Sequence, residues 1–159
     1  MSRTVPVFRG ESLFWALDAA LAVWLFGFLD GAQERRLEDD PWWAERLHSW
    51  QVTAIVGGTS VFDLPEEWVD DRLETFTTLA LDSVASLREQ DELDTALLAK
   101  RLVFGDATTS ASRYHQRKQE TVATEPIALL GEALVDLAHG TLPPPPKGHR
   151  VVLRDRRRT

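Results

Sequence analysis

Two pairs of an acid and a histidine three residues apart are the residues best placed for chemistry: Glu45 with His48, and Asp136 with His139. On a helix that spacing puts both side chains on one face, the ligand geometry of di-metal carboxylate sites in helical bundles. Asp18 and Asp82 would supply the lone carboxylates of such a site. Ligands of this kind must all project into the bundle, however, and these pairs do not. At 100° per residue the face formed by Trp43, Leu47, Trp50 and Ala54 lies more than about 90° from Glu45 and His48. Ile127, Leu130, Leu134 and Ala138 likewise face away from Asp136 and His139. His139 near a helix C-terminus also suits the helix dipole without any metal. The reading is therefore no metal and no cofactor. A helical metal-dependent enzyme or binder using Asp18, Glu45, His48 and His139 stands as an alternative.

Other catalytic groupings are missing from the sequence. There is no cysteine, which removes disulfides, thiolate metal sites and cysteine nucleophiles. No nucleophile elbow, phosphate-binding loop or His-Glu-x-x-His occurs. Gly57-Gly58-Thr59-Ser60 follows a predicted helix and reads as a stop and turn. Asp18, set among apolar residues, is expected near a helix start where it reaches water.

Charge is more informative. Residues 30–94 hold 17 acids against 5 bases, residues 1–29 and 95–146 each balance, and residues 147–159 hold 6 bases against Asp155. The net charge of −7 argues against general nucleic-acid binding by the body of the protein. Arginine outnumbers lysine fifteen to three, the coding bias of a GC-rich genome. In the predicted third helix, Val69, Leu73, Phe76, Ala80, Val84 and Leu87 form an inward stripe. Glu67, Asp71, Glu74, Asp82 and Glu89 form a row on the opposite side. Like charges at that spacing repel by a few tenths of a kcal/mol each (~0.2–0.5), so the row opposes helix stability unless a partner compensates it. Trp42 and Trp43 cannot both face one core, which places one of them at a groove or interface flanking the row. The basic segment 113–118 is expected to neutralise this acidic face from within the chain.

Proline and glycine then punctuate the elements that would position these groups. Helices are expected over Ser12–Asp30, from Pro41 to Ile55, from Pro65 to Arg88, from about Asp91 to Phe104, and from Pro126 to His139. Residues 106–124 read as a long loop. The first helix is apolar all round, which makes it a central core helix or one covered by a second copy of the chain. It is too short and carries Asp18, so no membrane span is expected. Val5, Val7 and Phe8 at one end, and Val151–Leu153 at the other, are β-prone and could pair as a small ribbon.

The expected fold is all-α: a single domain, residues 1–141, of about five helices around the apolar N-terminal helix, with a two-stranded β ribbon from the termini. Residues 142–159 form a proline hinge and basic tail. The expected function is a non-enzymatic, cytoplasmic, acidic interaction protein that docks a basic protein surface. Inhibitor, immunity or antitoxin-like proteins and subunits of larger assemblies fit that description. Its partner-binding residues are Glu67, Asp71, Glu74, Asp82, Glu89, Trp42 and Trp43. A homodimer through the N-terminal helix is a further expectation. Tethering of Arg150–Arg158 to nucleic acid or an anionic membrane is another alternative.

Overall fold

A computed structural model describes residues 4–56, 62–94 and 121–142. The chain opens with a hairpin, in which β1 (Thr4–Arg9) pairs antiparallel with β2 (Ser12–Leu17) so that Arg9 faces Ser12. The two-residue turn rests on Gly10, whose φ of +56° suits the first central position of a type II′ turn and only glycine adopts freely. Val5, Val7, Phe14 and Ala16 then point to the core and are buried, while Leu13, Trp15 and Leu17 are half-buried on the other face. A short β3 (Phe62–Asp63) runs parallel to β1, giving the order β2-β1-β3.

The helix expected from Ser12 therefore starts six residues later, as α1 (Asp18–Glu34). A continuous apolar run carries no period that separates strand from helix, and here the Gly10 turn decides in favour of strand. From Asp18 onward the helix is central, as its all-round apolar surface demands. Leu21, Val23, Trp24, Leu25 and Phe28 are buried among α2 (Pro41–Val56), α3 (Arg72–Arg88) and α4 (Glu125–His139). These side chains find cover within one chain, so burying them does not require a second copy. Phe28 belongs to an aromatic core, with ring centroids 5.3 Å from Trp24, 5.3 Å from Phe76 and 5.6 Å from Trp50.

The ends of α2 and α4 follow the sequence signals. Asp40 Oδ1 accepts the Trp42 N–H at 3.0 Å ahead of α2, and Gly140 ends α4 with a left-handed φ of +70°. By contrast, α3 starts at Arg72 and not at Pro65. The segment before it is held to the hairpin: Leu64 N–H donates to Phe8 O at 2.7 Å, and Arg9 donates to the carbonyls of Pro65 and Glu66 at 3.2 and 2.9 Å. Asp70, with φ of 53°, then breaks the helical path.

A fourth helix from Asp91 is not formed over the described residues. Glu92–Asp94 is β4, paired antiparallel with β5 (Thr121–Ala123). The described chain thus holds four α-helices, a three-stranded sheet and a two-stranded sheet, which corrects the all-α five-helix expectation. The N-terminal β-prone cluster pairs with its own hairpin partner. Val151–Leu153, the proline hinge, the basic tail, Gly57–Ser60 and residues 95–120 lie outside the described residues. No helix among the described residues is long and apolar enough to cross a membrane.

Candidate functional site

The two faces of α3 differ sharply. Phe76, Leu79, Ala80 and Val84 are buried, while Glu74 and Asp82 are exposed on the opposite side. Exposed Asp71 and Glu89 stand at the helix ends, and exposed Glu67 precedes the helix in a bend instead of occupying its first turn. Val69 also precedes the helix and is 49% exposed, so it is not part of the inward stripe. Asp71 and Glu74 lie where the macrodipole favours negative charge, whereas Glu89 at the C-terminal end opposes it. Asp82 is paired with Arg35 at 2.9 Å. Among the described residues, Glu67, Asp71, Glu74 and Glu89 form no ion pair. Two acids of α4 are treated differently: Arg88, at the last turn of α3, binds Glu125 at 3.0 Å and Glu132 at 2.5 Å, and these carboxylates hold its guanidinium more firmly protonated than usual. Gly131 of α4 lies close against Trp24 of α1 and Val84 of α3, so these three helices pack tightly at that point.

A groove of about 440 Å³ lies between α1 and α3. Val23, Trp24 and Phe26 of α1, Leu79 and Leu87 of α3, and Leu93 of β4 give it an apolar lining. It exists because the facing positions are small. Gly27 and Gly31 on α1 lie opposite α3, and a Cβ at Gly27 would still be 3.9 Å from Ser83 Oγ. Polar groups complete the lining: Asp30, Glu34, Arg35, Asp82, Ser83, Ser86 and Gln90. Asp82 therefore belongs both to the acidic row and to the groove. Sequence reasoning missed the groove because it is made by side chains that are absent from two separate helices. Its trace in the sequence is Gly27 and Gly31 four apart and Ser83 and Ser86 three apart.

Trp42 and Trp43 separate in role. Trp43 is buried, and Trp42 packs edge-on against it at 4.9 Å and lies 6.1 Å from Trp68. The guanidinium carbons of Arg46 and Arg72 each lie 4.8 Å from the Trp42 ring centre, a cation–π arrangement that leaves the indole half-buried. Arg72 also donates to Asp40 at 3.0 Å, and this bond is the main reason the Asp40 carboxyl titrates below its ordinary range, with the Trp42 N–H adding to it. Trp42 thus sits beside cations.

The residues of the metal alternative are dispersed. Asp18 does not reach water: it is 2% exposed at the first turn of α1, and its Oδ1 accepts the Ala19 N–H at 2.7 Å. Glu45 and His48 are exposed on α2. His139 Nε2 is 2.8 Å from Thr77 Oγ1, and since that hydroxyl donates to Leu73 O at 2.7 Å, it accepts from the histidine. Among the described residues no group of three or more His, Asp or Glu side chains is placed to hold a metal ion. No protein-family model matches the chain, and no curated protein or solved structure matches it either.

Proposed function

We propose that this protein is a non-enzymatic interaction protein, acting in the cytoplasm, whose acidic α3 face docks a basic surface of another protein. It would act as an inhibitor, immunity or antitoxin-like protein, or as a subunit of a larger assembly. Glu67, Asp71, Glu74 and Glu89 carry this proposal, because among the described residues they are exposed and form no ion pair while Arg35 and Arg88 engage other acids. Repulsion along such a row is relieved when a cationic surface covers it, and long-range attraction accelerates encounter in a salt-dependent way.

Affinity enrichment from native lysate at low and high salt tests the proposal. A partner held by the wild-type protein at low salt, and lost in the Glu67→Gln/Asp71→Asn/Glu74→Gln/Glu89→Gln variant, is the expected result. A partner retained equally by both proteins would refute it.

A further inference from the structure

We propose that the groove between α1 and α3 receives an apolar side chain that the basic partner carries among its lysines and arginines, so that the docking segment is amphipathic and not merely cationic. This rests on the reading of α3 as an acidic docking face. The two features are continuous, because Asp82 lies in the acidic row and also lines the groove. They are also complementary in what they contribute. Exposed carboxylates give fast, salt-sensitive encounter but little affinity, whereas a desolvated apolar anchor supplies most of the binding energy at a protein interface.

The groove offers such an anchor the half-buried side chains of Phe26, Leu87 and Leu93 as a floor, backed by buried Trp24 and Leu79. Its walls are low: Gly27 and Ser83 let the backbones of both helices be approached closely, and Gly31 lies against the Leu79 side chain, 3.2 Å from where a Cβ would stand. The charge around it selects the sign of the occupant. Asp30, Glu34 and Asp82 line the groove against Arg35 alone among cations, Arg35 being paired with Asp82, and the α3 row extends the negative field. A second copy of this chain, with a net charge of −7, would bring like charge to the same place. A cationic segment with an apolar residue fits both the charge and the floor.

Two labelled synthetic helical peptides of equal length and equal lysine content provide the test, one with leucine along a single face and the other with serine at those positions. The leucine peptide is expected to bind the full-length protein at least about tenfold more tightly, the effect of burying one leucine side chain. Ser83→Leu, which fills the groove, is expected to abolish the difference while leaving the serine peptide's binding unchanged. Ser86→Leu fills the groove from the neighbouring turn and serves the same purpose should the first variant fail to fold. Equal binding of the two peptides, or a preference that survives both substitutions, would overturn the proposal. So would self-association of the protein that Ser83→Leu abolishes, since the occupant would then be a second copy. Failure of the underlying reading looks different: a leucine preference that persists at high salt and in Glu74→Gln/Glu89→Gln would keep the groove and discard the acidic face. Salt-sensitive binding of both peptides without preference would do the reverse.

Discussion

Arg35 Nη2 lies 2.9 Å from Asp82 Oδ2, so the C-terminal end of α1 neutralises one carboxylate of the α3 row beside the groove that the two helices enclose. Both side chains are largely exposed, at 46% and 63%, and the pair is therefore worth little to folding. Its larger effect is on the field that an approaching cation meets.

Arg35→Gln is accordingly expected to change unfolding free energy by less than about 1 kcal/mol. It should also speed association with a lysine-rich peptide at low salt, because Asp82 becomes available. Stopped-flow mixing measures the rate, and slower association would count against the row as the docking face.

Gly131 and Gly27 make opposite demands on α1. A Cβ at Gly131 would collide with the Trp24 indole nitrogen and would stand 2.6 Å from Val84 Cγ2, both in the closed core. Gly131→Ala is therefore expected to destabilise the protein by about 1–3 kcal/mol. A Cβ at Gly27 meets nothing closer than Ser83 Oγ at 3.9 Å, so Gly27→Ala should stabilise by about 0.5–1 kcal/mol through helix propensity. Urea unfolding of the two variants measures the contrast, and a shift of the same sign in both would contradict the packing described.

Asp40 gives a pH dependence of defined sign. The hydrogen bond from Arg72, and then that from Trp42 N–H, place its folded-state pKa below the unfolded value. The stability it contributes is present above the unfolded pKa, near about 4, and is lost as pH falls through the lower folded value. Asp40→Asn should thus melt at a lower temperature than wild type at neutral pH, with the gap closing as the solution is acidified below that range. A gap that widens on acidification would contradict the assignment.

Elements bounded by local chemistry were legible in the sequence. Asp40-Pro41 marks the start of α2, and Pro126 and Gly140 bracket α4, because capping depends on neighbouring residues alone. The buried stripe from Phe76 to Val84 was likewise written in the spacing of α3. Ser12–Leu17 was not, since its apolar run fits strand or helix, and the Gly10 turn that pairs it with Thr4–Arg9 decides. The start of α3 was misplaced for a related reason: Pro65 is a good first helical residue, but Arg9, 56 positions away, claims its carbonyl. Glu92–Asp94 depends on Thr121–Ala123 in the same way. In the candidate site, the exposure of Glu74 and Asp82 opposite the buried stripe is local and was legible as residue spacing, whereas Glu67 falls in a bend before the helix. The groove joins two helices far apart in sequence and was not, and the burial of Trp43 against a cation-flanked Trp42 needed the tertiary fold.

The most direct test of the acidic docking face is the salt dependence of binding to one lysine-rich amphipathic peptide. It compares wild type with the Glu67→Gln/Asp71→Asn/Glu74→Gln/Glu89→Gln variant, both checked for unchanged folding. Wild-type affinity is expected to fall steeply as salt rises, and the variant to bind more weakly at low salt with a flatter dependence. Superimposable curves for the two proteins would contradict the assignment of α3 as the docking face.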